Sequence, residues 1–186
     1  MKRLFDLILS IIALSFLILP LIFICLAVRA TSQGSVLYWS ARIGRDNQLF
    51  NMPKFRTMQI DTPVVATHLL KGPHQWLTPI GSFLRKFSLD ELPQLWSIFL
   101  GHMSFVGPRP ALYNQLDLIT SRTQLGIQSL RPGLTGWAQV NGRDEITIAQ
   151  KVKLDAEYMK RQGFWFDIYI LWKTLIKIVN KENVSH

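Results

Sequence analysis

From Leu7 to Val28 the chain carries no formal charge. As a helix rising about 1.5 Å per residue, this run extends about 33 Å, close to the ~30 Å hydrocarbon core of a bilayer. Lys2 and Arg3 precede it, and Arg29, Arg42 and Arg45 follow it, so the bias of basic residues does not place its two ends on opposite sides. Pro20 falls beyond its middle, lacks an amide donor and crowds the Phe16 carbonyl, which predicts a bend. The Ser15 hydroxyl is the candidate partner for that freed carbonyl. The pattern reads as a re-entrant membrane helix broken at Pro20, entering and leaving on one face; a kinked spanning helix is the alternative. A cleaved leader fits poorly, because Asp6 intrudes and no small-x-small site follows, and bulky Ile24 before Cys25 argues against a lipidated cysteine.

Beyond this run the periodicity changes. Val36 to Ile43 and Leu49 to Met58 read as a hairpin across the turn-rich Gly44-Arg45-Asp46-Asn47. Asp61 to Trp76 reads as irregular or partly helical. Thr78-Pro79 predicts an N-cap and first helical residue, opening a short helix through about Phe87. A second helix is expected from near Asp90 to Gly101, and a third from Ala111 to Leu125. Arg131 to Arg143, rich in turn formers, reads as a long structured loop. Thr147 to Gln162 is predicted helical, and so is Phe164 to Lys181. On that last helix Lys173, Lys177 and Lys181 line one side, opposite Ile168, Leu171, Trp172, Leu175, Ile176 and Val179. Such a helix suits a membrane interface, or a core with the lysines in solvent. The sum is an α+β chain, mostly helical: a membrane-embedded segment over 1–30, and over 31–186 a domain with a small β-hairpin and interfacial amphipathic helices.

Composition narrows the chemistry. With 186 residues, 48% hydrophobic and 18% charged, the chain can bury one core and is not a disordered basic tail. The single Cys25 excludes an internal disulfide, and His68, His74, His102 and His186 offer no zinc-like spacing. A formal charge of +9 suggests anionic partners. Nucleic acid is not expected, because many arginines sit in Gly/Pro turns and no nucleic-acid module is visible. A membrane-anchored scaffold would explain the apolar helices but not the acidic pair described next.

Ser88-Leu-Asp-Glu-Leu-Pro-Gln-Leu95 places Asp90 and Glu91 just ahead of Pro93, at a predicted helix start where the backbone dipole favours negative charge. Ser88 and Glu91 also have the spacing of a capping box, a purely structural use. What shifts the balance is the company of cations. Arg85 lies upstream, Lys54 and Arg56 close the hairpin, and Arg109, Arg131 and Arg143 each sit beside Pro or Gly. Arginines in rigid turns suit the planar, two-pronged holding of phosphate oxygens. A carboxylate among such cations is expected to be ionised, as a nucleophile or Mg²⁺ ligand needs.

Those segments, with Met103-Ser-Phe-Val-Gly-Pro-Arg-Pro110, Arg131-Pro-Gly-Leu-Thr-Gly-Trp-Ala-Gln-Val-Asn-Gly-Arg143 and Lys54-Phe-Arg-Thr-Met58, closely resemble the bacterial sugar transferase family of monotopic phosphoglycosyl transferases. The likeness runs in order along nearly the whole chain and looks like the family's minimal form. It implies transfer of a sugar 1-phosphate from a UDP-sugar, with N-acetylated sugars the lean, to undecaprenyl phosphate, releasing UMP and starting surface-glycan synthesis. By that resemblance Asp90 matches the nucleophile that becomes esterified to the phosphosugar and also the Mg²⁺ ligand, and Glu91 its acidic neighbour. Lys54, Arg56, Arg85, Arg109, Arg131 and Arg143 are the candidate phosphate-binding residues, and Pro20 matches the family's membrane-helix break. The implied location is the bacterial inner membrane, with the catalytic domain on the cytoplasmic face and in contact with membrane lipid. A homodimer is admitted, since nothing in the sequence sets the oligomeric state. Three positions depart from the family's pattern: His102 where an acid is usual, Ser97 where Asn is frequent, and Leu19 in place of a serine before Pro20.

Overall fold

The computed structural model describes residues 1–63, 72–142 and 146–179. Helix α1, Lys2–Thr31, is one continuous element with Pro20 inside it. The chain therefore stays helical across the expected break. The Ser15 hydroxyl donates to the Ile11 carbonyl at 2.9 Å, not to that of Phe16 as expected.

One stripe of α1 faces the rest of the protein along its length. Asp6, Ser10 and Val28 are buried. Leu9, Ala13, Leu14 and Leu17 pack on the main core, and Leu21, Ile24 and Cys25 on a smaller one. These positions recur at helical spacing, so a single helix face meets both clusters. The opposite face leaves Ile12, Phe16, Leu19, Phe23 and Leu26 exposed. In length and composition α1 could cross a membrane.

The N-terminus of α1 is fixed by polar contacts. Arg3 donates to the carbonyls of Ile98 and Phe99, both at 2.6 Å. Asp6 accepts from the Ser104 hydroxyl and the Phe105 amide, each at 3.1 Å. Lys2 donates to Asp167 and to the Tyr158 hydroxyl, and Tyr158 in turn donates to Asp167. The acid that intrudes on the apolar run is thus a buried, satisfied tether.

Strands β1, Leu37–Ile43, and β2, Leu49–Phe55, form an antiparallel hairpin pairing Leu37 with Phe55 and Ile43 with Leu49. Asp46 and Asn47 adopt left-handed φ of 54° and 58° in the turn, a conformation these two residue types tolerate. Strand β2 stops before the expected Met58, which makes only an isolated bridge to Leu77. Helix α2, Gly81–Lys86, starts later than the Thr78 cap predicted. The Thr78 amide donates instead to the Thr57 carbonyl at 3.0 Å. A Cβ on Gly81 would lie 2.2 Å from that same carbonyl oxygen, so glycine is what lets α2 press against the end of the hairpin.

After a 3₁₀ turn over Leu89–Glu91 comes α3, Gln94–Leu100, closed by Gly101 at φ 88°. Strands β3, Ser104–Val106, and β4, Gly133–Thr135, pair in parallel inside the stretches read as connections. Three-residue strands are too short to display an alternating pattern. Helix α4 covers only Leu116–Gln124, because Leu112 is drawn into a bridge with Arg42. Helix α5 is Trp137–Val140. Helix α6, Ile148–Arg161, opens with a full capping box between Thr147 and Gln150. Helix α7, Phe164–Val179, buries Asp167 and Ile170.

The outer side of α7 is apolar. Trp165, Trp172, Leu175 and Ile178 are exposed, while the Lys173 ammonium lies 5.2 Å from the rings of both Trp137 and Tyr169. A helix that merely docks with its lysines in solvent would show the reverse. Lys181 lies outside the described residues.

Candidate active site

Asp90 and Glu91 occupy the 3₁₀ turn ahead of α3, not the first turn of an α-helix. Ser88 makes no capping bond and holds a left-handed φ of 54°, uncommon for a non-glycine residue. The capping-box use is therefore not realised. The Glu91 carboxylate reaches into the protein instead, where one oxygen accepts from Lys54 at 2.7 Å and from Arg109 at 2.9 Å.

Each partner arrives on a different element. Lys54 comes from β2, and Arg109 from the turn after β3. That turn is braced from behind by Arg122, which donates to the Arg109 carbonyl at 2.8 Å and pairs with buried Asp155 at 2.7 Å. It is also braced by glycine. The Gly107 amide donates to Thr135 at 2.9 Å, and a Cβ on Gly133 would lie 2.1 Å from the Gly107 nitrogen. Arg85 is aimed by α2, its Nε donating to the Thr57 hydroxyl at 3.0 Å.

Asp90 sits among these cations yet is 6% exposed, and its Oδ1 has no hydrogen-bond partner. Burial, the largest influence, pushes its pKa above the ordinary carboxylate value. Lys54, Arg85 and Arg109 pull it down, and Glu91 pushes it up further. Burial likewise lowers the pKa of Lys54, with Glu91 the main opposing influence, and lowers that of Arg85, where Asp90 opposes. The result is a desolvated carboxylate with one oxygen unsatisfied and three cations around it, an arrangement able to meet an anionic phosphorus centre.

Not every expected cation joins this group. Arg56 donates to the Ser35 carbonyl at 2.7 Å and to its hydroxyl at 2.8 Å, at the start of the hairpin. Arg131 donates to the Gly101 carbonyl at 3.0 Å, at the far end of α3. Arg143 lies outside the described residues. Thr57, which aims Arg85, and Gln94, buried one turn beyond Asp90, were missed in the sequence, because an uncharged polar residue carries no signal until its burial is seen.

Residues 1–181 match the family described as Bacterial sugar transferase. The chain belongs to the bacterial sugar transferase family. It is 38% identical to the uncharacterized sugar transferase EpsL of Bacillus subtilis, over 100% of this chain and 90% of that protein. It is 36% identical to the UDP-glucose:undecaprenyl-phosphate glucose-1-phosphate transferase of Escherichia coli, over 97% of this chain, and 35% identical to the UDP-galactose-lipid carrier transferase of Erwinia amylovora, over 98%. The chain spans 41% of the length of each of those two larger relatives.

Of the departures from the motif, Ser97 lies on α3, the helix that follows the acidic pair, and His102 lies beyond its end. Ser97 is buried, and its carbonyl accepts the amides of His102 and Met103 at 2.9 and 3.1 Å. His102 is exposed, with its ring 6.0 Å from that of Phe50. No cluster of three His, Cys, Asp or Glu occurs among the described residues. Mg²⁺ needs fewer protein ligands when phosphates supply oxygens, commonly one or two carboxylates. The unsatisfied Oδ1 of Asp90 fits that requirement, whereas Glu91 is already engaged by two cations.

Proposed function

We propose that the protein transfers a sugar 1-phosphate from a UDP-sugar to undecaprenyl phosphate through an ester on Asp90. The observation that carries this reading is the unpaired, buried Oδ1 of Asp90, on whose charge Lys54, Arg85 and Arg109 all act. A carboxylate oxygen attacks the β-phosphorus of the donor. The bond from that phosphorus to the bridging oxygen breaks, and UMP departs with the electron pair. An oxygen of the lipid phosphate then attacks the same phosphorus, and the Asp90 carboxylate leaves. Splitting the exchange in two lets UMP leave before the lipid phosphate approaches.

Arg109 and Lys54 hold Glu91 so that its charge does not oppose the incoming diphosphate, and Arg85 faces the same centre. When bound by Asp90, Mg²⁺ would neutralise charge on the donor phosphates. N-acetylated UDP-sugars remain the favoured donor class.

The same reading places the acceptor in the membrane beside α1. Arg3 and Asp6 at one end of α1, and Val28 at the other, dock on the same folded unit, which supports a helix that enters and leaves on the cytoplasmic face of the inner membrane. The exposed apolar side of α7 supports contact with lipid.

The deciding experiment incubates the enzyme with Mg²⁺ and a panel of UDP-sugars without acceptor. The expected result is one equivalent of UMP and a mass increase equal to the phosphosugar, localised to the peptide bearing Asp90. A phosphosugar found on any other residue would refute the assignment.

A further inference from the structure

Beyond Asp90, a second polar group four residues further along the same stretch has no partner. Gln94 is 1% exposed, and its Nε2 is buried with no hydrogen-bond partner. An unmade hydrogen bond of this kind costs about 1–3 kcal/mol, so such a group calls for an explanation. Gln94 is the first residue of α3. Leu92 and Pro93 before it hold helical φ/ψ, so the turn carrying Asp90 continues into α3. The buried positions Asp90, Glu91, Gln94, Leu95, Ser97 and Ile98 then form the inward side of that stretch.

The two orphaned atoms are of opposite kinds. Asp90 offers an unpaired acceptor and Gln94 an unpaired donor, and they do not satisfy each other. A ligand that satisfies both atoms must therefore present an electron-poor atom to the carboxylate and an oxygen acceptor to the amide. A phosphoryl group has both, in phosphorus and its non-bridging oxygens. A lone cation would satisfy only Asp90.

We propose that Gln94 is a further catalytic residue, whose side-chain N–H donates to a non-bridging oxygen of the phosphoryl group that Asp90 attacks. This rests on the nucleophilic reading of Asp90. Charge grows on those oxygens as the Asp90–phosphorus bond forms, and a fixed neutral donor stabilises it without reorganisation. The surrounding cations already bind the donor's ground-state charge, so the contribution of Gln94 falls on the rate of the step.

The test uses the full-length enzyme and the UDP-sugar giving the most UMP from a panel of UDP-glucose, UDP-galactose and their N-acetylated forms. Rapid-quench measurement of the UMP burst without acceptor reports the first step alone. Gln94→Met keeps the length and removes the donor; Gln94→Glu keeps the shape and covers the case in which Met does not fold. The expected result is a burst rate constant lowered about 100-fold, in line with loss of one such donor. Donor KM changes less than about threefold, and the apparent unfolding temperature of the Met variant does not fall. Because an amide does not titrate, the ratio of wild-type to Met-variant rates is flat with pH. A burst rate within about threefold of wild type, or a loss explained by a smaller folded fraction, overturns the inference. If wild type forms the Asp90 adduct while the variants keep its rate, only Gln94 is misassigned. If wild type forms no Asp90 adduct, both readings fall together.

Discussion

Replacing Asp90 by Asn is expected to abolish transfer and to stabilise the protein. The second half follows from burial. The folded state raises the pKa of Asp90, with desolvation outweighing the pull of Lys54, Arg85 and Arg109. A carboxyl with a raised folded pKa is less stable as an anion in the folded state than in the unfolded one. Its penalty is absent below the unfolded value of about 3.9, grows between the two pKa values, and is complete above the folded one. Each unit of elevation corresponds to about 1.4 kcal/mol. Removing the charge from a buried oxygen with no hydrogen-bond partner suggests about 1–3 kcal/mol. At about 2–4 °C per kcal/mol for a chain of this length, the Asn variant should unfold roughly 2–12 °C higher at neutral pH. Thermal unfolding of both proteins in one detergent, with UMP release measured in parallel, checks this. The difference should shrink as pH falls and a proton does what the amide does. A variant that unfolds earlier at neutral pH, a gap that widens on acidification, or retained UMP release would each refute the reasoning.

Other consequences are testable with the same assays. Because Asp90 must be ionised to attack, kcat/KM should fall on acidification with a midpoint above the ordinary carboxylate range; an acid limb at or below about 3.9 would contradict the burial argument. Arg109→Ala removes a cation paired with Glu91 and should lower kcat/KM about 10–100-fold, as expected for a charged hydrogen bond. Unchanged kinetics with the donor would count against it. Arg122→Ala removes the guanidinium paired with Asp155, 1% exposed, leaving Lys151 as a remaining cation acting on it, and should cost about 3–5 kcal/mol, measured by thermal unfolding. Adding Asp155→Asn should recover part of that loss. Gly133→Ala drives a Cβ to 2.1 Å from the Gly107 nitrogen, so the yield of folded protein should collapse, beyond the ~1–3 kcal/mol typical of overpacking.

The long apolar helix, the hairpin and the two C-terminal helices were legible because each repeats one period over many residues. The parallel pair of β3 and β4 was not, because each strand is only three residues long and one of the paired positions, Gly133 opposite Ser104, carries no side chain to mark a pattern. The acidic pair stood out by its charge and neighbours, but the sequence misjudged its setting. Proximity to Pro93 suggested a helix cap, whereas the cross-chain attraction of Lys54 and Arg109 turns Glu91 inward. The same blindness to distance made six basic residues look equivalent. Arg85 and Arg109 face the carboxylates, while Arg56 and Arg131 are tied to Ser35 and Gly101 by local geometry no motif encodes.

The Lys2–Asp167 contact has a consequence for biosynthesis. Its partners stand 165 positions apart, so the opening turn of the chain waits for the final helix before its ammonium is matched. Arg3 likewise waits for Ile98 and Phe99. A ribosome must deliver the chain through Asp167 before this contact at the start of α1 can form, and contacts of such separation form slowly. A product cut short ahead of Asp167 would leave Lys2 and Tyr158 without their shared acceptor, so the start of α1 and the core tyrosine are matched only in chains that reach α7.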